Sequence, residues 1–254
     1  MSPIESNLQQ IRLARDAAIA GLPPERRQNV TLVAVSKTQP GAALREAFRA
    51  GQRDFGENYV QEGIAKIAEL ADLHASGEPR IMWHFIGPLQ SNKAKLVAQH
   101  FDWVHGVDRL KIAQALSRAR EDGAAGHTGR VFAPNGQPLN ICVQVNVSGE
   151  ASKGGIMPDD IMSFAQQVAV LPGLKLRGLM AIIENTPDMA TQRAQFRQMQ
   201  QYQLQLKKAG LPVDTLSMGM SQDFKVAIEE GATMIRIGSA IFGRRDVESA
   251  GAKH

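Results

Sequence analysis

Five side chains in this sequence stand where reactive groups would be useful: Lys37, Ser217, Ser221, Arg236 and Ser239. Lys37 follows the apolar run LVAVS at 32–36. An ammonium pushed toward apolar surroundings loses hydration, which favours the neutral amine, and a neutral amine condenses with an aldehyde to a Schiff base. A lysine in a solvated loop would do none of this, and the local sequence leaves both readings open.

Two small, polar segments lie toward the C-terminus. SMGMSQD at 217–223 offers the Ser217 and Ser221 hydroxyls, the backbone of Met218, and a glycine, Gly219, that permits close backbone approach. Ser221 is also placed to cap a helix starting at 222. GSA at 238–240 adds Gly238 and Ser239 as a further N–H and hydroxyl. Side by side, such loops form an anion cradle of the kind that binds phosphate. Capping and turn formation alone would use the same residues. Arg236 lies in MIRIG, where strand alternation puts Met234, Arg236 and Gly238 on one face and Ile235 and Ile237 on the other. An arginine inside a strand needs a partner: an acidic neighbour, or a bound ring or anion.

The elements that must position these groups alternate regularly. A helix with Ile4, Leu8, Ile11 and Ala18 at helical spacing ends at GLPP, 21–24. Strands follow at 31–36, 53–58, 81–87, 101–107, 140–147, 174–182, 214–218 and 232–238. Helices separate them at 41–51, 59–73, 91–99, 108–121, 158–170, 188–209 and 222–230. Val-, Ile- and Leu-rich strands between helices imply a parallel sheet covered on both faces. Eight units in 254 residues predict an α/β fold, a single (β/α)8 TIM barrel with an extra N-terminal helix, spanning 1–254. The Gly- and Ala-rich stretch at 123–138 reads as a mobile surface loop.

A barrel carries its site at the C-terminal strand ends. That rule selects Ser36, Lys37, Glu57, Asn58, His84, His105, Asn146, Ser148, Met180 and the two C-terminal loops. His84, His100 and His105 have no metal-ligand spacing, and Ser148 has no evident His–Asp partners. SGEASKGG at 148–155 does not match a P-loop. Cys142, the one cysteine, excludes a disulfide framework and reads as core.

Composition narrows the function classes. Hydrophobic residues make up 43% and charged residues 21%, a globular balance. The net charge of +4 is small and dispersed, and aromatics are only 5%, so a nucleic-acid surface is not expected. The N-terminus lacks a signal-peptide pattern and the apolar runs are too short for a membrane span, so a cytoplasmic protein without membrane contact is expected.

Six segments carry a wider likeness. AVSKTQP (34–40), FGENYVQE (55–62), WHFIGPLQSNK (83–93), VNVSGEASKGG (145–155), GLMAI (178–182) and LSMGMSQDFKVAIEEGATMIRIGSAIFG (216–243) together resemble the pyridoxal phosphate homeostasis protein family. Members are barrels similar to the N-terminal domain of alanine racemase. The resemblance implies that Lys37 holds pyridoxal 5′-phosphate as an internal aldimine. It implies that Ser217, Met218, Gly219, Ser221, Gly238 and Ser239 cradle the phosphate. Arg236 would face the pyridine nitrogen, Asn58 would lie beside the cofactor, and Met180 would pack where the ring sits.

Two functions follow from the resemblance. One is a carrier that keeps the reactive aldehyde out of solution, serves vitamin B6 and amino-acid homeostasis, and passes the cofactor to pyridoxal-phosphate-dependent apoenzymes. The alternative is an amino-acid racemase of the alanine racemase type. That enzyme needs a second base, a tyrosine from a β-rich domain of a partner subunit. The sequence after strand 8 leaves no room for such a domain, and neither Tyr59 nor Tyr202 is well placed for the role. Without those dimer contacts a monomer is expected.

Overall fold

A computed structural model describes residues 2–76, 79–124, 137–150, 153–184 and 186–243. Eight parallel strands close into a barrel in sequence order. They are β1 (Thr31–Val35), β2 (Asp54–Glu57), β3 (Met82–Phe85), β4 (Trp103–Val107), β5 (Leu139–Val145), β6 (Leu174–Ala181), β7 (Thr215–Ser217) and β8 (Met234–Ile237). The helices are α1 (Pro3–Ala20), α2 (Gly41–Arg49), α3 (Val60–Glu69), α4 (Ala94–His100), α5 (Leu110–Ala124), α6 (Ile161–Ala169), α7 (Met189–Lys208), α8 (Phe224–Glu229) and α9 (Ser239–Phe242). The predicted barrel and its extra N-terminal helix are both present. The loop expected at 123–138 falls almost entirely outside the described residues, with α5 running through Ala124. Among the described residues no helix is long and apolar enough to cross a membrane.

α1 starts with a capping box: the Ser2 hydroxyl accepts from the Glu5 N–H at 3.2 Å, with Pro3 in the first turn. It lies beside α2, α8 and α9, and the Asn7 amide donates to the Ile241 carbonyl at 2.9 Å. The strands divide the core by alternation. Leu32, Ala34, Ile235 and Ile237 face the helices. Val33, Trp103, Cys142, Met180 and Met234 form a separate cluster inside the barrel. Cys142 is fully buried there, and burial pushes its thiol up to about 12. Closure pairs Val33 with Arg236 and Ala34 with Ile237. The ends of β1 and β8, and hence Lys37 and the Gly238–Ser239 segment, are therefore neighbours.

Candidate functional site

Lys37 sits, half-buried, in a tight turn directly after β1. The Gln39 N–H closes that turn on the Ser36 carbonyl at 3.0 Å. Thr38 has φ 64°, the one non-glycine residue in the left-handed region among the described residues. A β-branched residue is costly there, so the surroundings must hold it. They do so from two sides. Ser36 donates its N–H to the Gly56 carbonyl at 2.9 Å and its hydroxyl to Glu57 Oε1 at 2.6 Å. From α3, Lys66 Nζ donates to the Ser36 carbonyl at 2.6 Å, to Glu57 at 2.8 Å and to Glu62 at 2.6 Å. Glu62 in turn accepts the Thr38 N–H. Glu57 is fully buried; desolvation pushes its carboxyl up, against the pull of Lys66 and Ser36.

A cavity of about 340 Å³ opens above this turn, lined by Lys37, Thr38, Gly238 and Ser239 among others. A second, of about 760 Å³, is lined by Ser221, Asp223, Met220, Ile182 and Lys153, and again by Ser239. Both volumes fall in the range of small-ligand sites. Ser239 joins the two, so the amine, the post-β8 segment and the post-β7 loop converge on one region of the barrel mouth.

The post-β7 loop depends on Gly219. It has φ 95°, and a Cβ there would stand 2.7 Å from the Ala227 Cβ and 3.1 Å from the Phe224 Cα. The Gly219 carbonyl accepts the Arg236 N–H at 2.9 Å, tying the loop to β8. The Met218 side chain is buried in the outer core, so only its backbone is available to a ligand. One sequence expectation is corrected here. Ser221 does not cap the following helix; α8 begins at Phe224 with Asp223 at the cap position. Asp223 instead accepts the Met220 N–H at 2.6 Å, folding the loop back and leaving Ser221 on the cavity wall. Burial raises the Asp223 carboxyl, opposed by that N–H and by Arg236.

Arg236 and Ser217 lie below the mouth, inside the barrel. Arg236 Nη1 donates to Ser217 Oγ at 2.6 Å, and Nη2 to the Ala181 carbonyl at 2.9 Å. Burial lowers the guanidinium to about 10, so it remains a cation at neutral pH. Ser217 is fully buried, with His105 Nδ1 at 2.8 Å on its other side. Its hydroxyl is therefore engaged by two protein groups, a different setting from the phosphate contact expected of it. Met180 lies in the inner cluster next in sequence to Ala181. Asn58 stands after β2, its side-chain oxygen buried without a hydrogen-bond partner. Gly87 presses against the Asn58 backbone so closely that a Cβ would lie 2.3 Å from its carbonyl oxygen.

Two groups escaped the sequence reading as working units. One is the clamp of Glu57, Glu62 and Lys66 under the Lys37 turn; the i,i+4 spacing of Glu62 and Lys66 was its one visible trace. The other is the line of Asp54, His84 and His105 inside the barrel, which only the closed sheet brings together.

A lysine amine, small hydroxyl- and N–H-bearing loops, an acceptor lacking a donor and a buried cation suit an anionic aldehyde with a polar ring. Comparison with known proteins points the same way. The family model for the alanine racemase N-terminal domain matches residues 23–246. The pyridoxal phosphate homeostasis protein of Pseudomonas aeruginosa is 52% identical over 248 residues, covering 97% of both chains. The Escherichia coli protein of the same name is 47% identical, over 97% of this chain and 98% of its own. Among solved structures, PipY of Synechococcus elongatus with PLP bound has a TM-score of 0.76 and 38% identity, over 94% of this chain and 100% of that one. The barrel, the arrangement of its mouth and near-full-length similarity lead to one conclusion: this chain belongs to the pyridoxal phosphate homeostasis protein family, built on the alanine racemase N-terminal domain fold.

Proposed function

We propose that this chain binds pyridoxal 5′-phosphate through Lys37 and acts as an intracellular carrier of the cofactor. The observation that carries the proposal is that Lys37, Gly238 and Ser239 line one cavity. Lys37 would hold the cofactor through its aldehyde, a link that water can reverse, so one side chain would serve both storage and release. Ser221, Ser239 and the backbone of Gly219 and Gly238 would hold the phosphate; Met180 and Asn58 would lie on the ring side. PipY, with PLP bound in its structure, supports the ligand's identity.

Arg236 governs what the bound cofactor does. A guanidinium only donates hydrogen bonds, so placed opposite the ring nitrogen it would leave that atom unprotonated. The ring is then a weaker electron sink than it would be opposite an aspartate. That suits holding the aldehyde, and passing it to apoenzymes, better than rapid carbanion chemistry. Tyr202 packs from α7 against the outer core and Tyr59 is exposed at the start of α3, which disfavours the racemase alternative.

The visible absorption spectrum of the purified protein tests the proposal, recorded with pyridoxal 5′-phosphate before and after D- and L-alanine. A yellow, borohydride-sensitive band without net racemisation is expected. Absence of the band would overturn cofactor binding; rapid conversion of one enantiomer would favour the racemase.

A further inference from the structure

Four side-chain contacts line up through the barrel interior, from its foot to its mouth. Asp54, the first residue of β2, has Oδ1 3.0 Å from His84 Nε2. His84 Nδ1 is 3.0 Å from His105 Nε2. His105 Nδ1 is 2.8 Å from Ser217 Oγ, which accepts from Arg236 Nη1 at 2.6 Å. His84, His105 and Ser217 have no exposed surface, and Arg236 is 5% exposed. The Asp54 end is the more open one, its side chain 27% exposed. Trp103 stacks on His84 with ring centroids 5.5 Å apart and holds that ring's plane.

The protons of this line can be assigned from donor and acceptor capacity. Asp54 as a carboxylate only accepts, so His84 Nε2 must carry a proton. Arg236 only donates, so Ser217 Oγ accepts from it and has its own O–H left to give. The nearest acceptor recorded for that O–H is His105 Nδ1. His105 must then be protonated at Nε2, and donates to a bare His84 Nδ1. Every proton finds an acceptor, both imidazoles are neutral, and the line runs one way from Arg236 to Asp54. The competing arrangement puts an imidazolium at His84 and Nδ1–H on His105. It adds a second cation to the barrel and takes the acceptor away from the Ser217 hydroxyl. Desolvation above all holds His105 well below the usual imidazole range, so its ring is neutral in either arrangement.

We infer that Asp54, His84 and His105 are positioning residues for Arg236. By giving the Ser217 O–H an acceptor at His105 Nδ1 they fix the rotation of that hydroxyl, and with it the lone pair that receives Arg236 Nη1, and so set the face the guanidinium turns to the cofactor ring. The inference rests on the cofactor reading above. It goes beyond that reading by assigning a role to three residues that touch no part of the mouth, one of them at the opposite end of the barrel. An anion at the foot orients a cation buried beneath the mouth through two neutral rings and a hydroxyl.

Two measurements test this. The first is ¹⁵N NMR of histidine-labelled protein at neutral pH, the two signals being identified by their loss in His84→Gln and His105→Gln. Both rings are expected as neutral Nε2–H tautomers; an imidazolium at His84, or Nδ1–H at His105, overturns the assignment. The second compares Asp54→Asn with Asp54→Leu. Asparagine keeps an acceptor for His84, so tautomers and pyridoxal 5′-phosphate affinity should stay within about twofold of wild type, well under one net hydrogen bond. Leucine removes the acceptor, so the tautomer pattern should change and the affinity should fall about tenfold, one hydrogen bond's worth. Folded Asp54→Leu protein with unchanged affinity overturns the inference alone. Wild-type protein that takes up no pyridoxal 5′-phosphate overturns the cofactor reading, and the inference with it. Should Asp54→Leu fail to fold, His84→Gln takes its place: weaker pyridoxal 5′-phosphate binding is expected, and folded protein with unchanged affinity overturns the inference.

Discussion

Lys66 Nζ donates to the Ser36 carbonyl oxygen at 2.6 Å, so a buried ammonium grips the peptide leading directly into Lys37. The same ammonium neutralises Glu57, which has no exposed surface. Stability and placement of the reactive amine thus depend on one side chain.

Replacing it should show both effects. Lys66→Met strands the Glu57 charge in the core and should cost about 3–5 kcal/mol in urea unfolding. Lys66→Met/Glu57→Gln should recover much of that loss, because no charge is left unpaired. The sign of the pH dependence follows from Glu57, whose folded carboxyl is pushed up by burial. Such a group stabilises the fold in its protonated form, and that contribution disappears as pH rises from the unfolded value through the raised one. Lys66→Met should therefore regain stability toward acid, and urea titrations at several pH values would reveal it.

Lys37→Ala should abolish the visible band formed with pyridoxal 5′-phosphate. Borohydride reduction followed by peptide mapping should find the label on Lys37 in the wild-type protein. Lys153 lines the neighbouring cavity and is the obvious competitor, with Lys93 a second. A label on either would displace Lys37 from its proposed role.

Phosphate recognition should be separable from ring recognition. Hydroxyl bonds to a charged acceptor contribute about 1.5–3 kcal/mol each. Ser221→Ala/Ser239→Ala should thus weaken pyridoxal 5′-phosphate binding by about tenfold or more, at roughly 1.4 kcal/mol per decade. Unphosphorylated pyridoxal should bind as before. Ser217→Ala should behave differently, because its hydroxyl serves Arg236: the two ligands should lose affinity together. Paired equilibrium titrations of the three proteins distinguish these patterns.

Gly219→Ala tests the loop's backbone. An L-residue at φ 95° is strained, and the added methyl meets Ala227 and Phe224. A stability loss of about 2 kcal/mol is expected, visible as a lowered thermal midpoint. Pyridoxal 5′-phosphate should also bind more weakly, since the displaced loop carries Ser221.

On the outer face of the barrel, Glu230 receives Arg193 at 2.8 Å and Arg197 at 3.0 Å. Desolvation alone would raise its carboxyl, but the combined pull of Arg197 and Arg193 outweighs it and the net shift is downward. The sign is opposite to that of Glu57. The stabilisation is present above the unfolded carboxyl value and is lost as pH falls through the lowered one. Both arginines are largely solvated, so the loss should be small. Glu230→Gln should flatten the acid limb of thermal midpoint against pH.

The barrel was legible because alternation and apolar runs are local properties. Even β2, four residues long, showed itself as a polar-flanked run before a helix. Lys37, Gly238 and Ser239 were legible for a related reason: they fall at strand ends, and closure of β1 on β8 makes them neighbours. Partner choice was not legible. The strand pattern puts Ser217 at the end of β7 near the mouth, but only the closed barrel shows His105 and Arg236 taking its hydroxyl. Likewise Asp223, two residues beyond Ser221, takes the cap position because the loop turns back on Met220. Asp54 and His84 are 30 residues apart and on different strands, so no spacing rule connects them.

Cys142 gives the molecule a built-in reporter. It is the sole cysteine of the chain, and it stands at the barrel's centre rather than on its rim. Its thiol, pushed up to about 12, carries almost no thiolate at neutral pH and meets no solvent. Reagents that modify thiols reach it only after strands part. The rate of its alkylation therefore clocks the opening of the closed sheet itself, blind to motion of the mouth loops. A ligand that merely orders those loops would leave that clock unchanged; one that ties β1 to β8 would slow it.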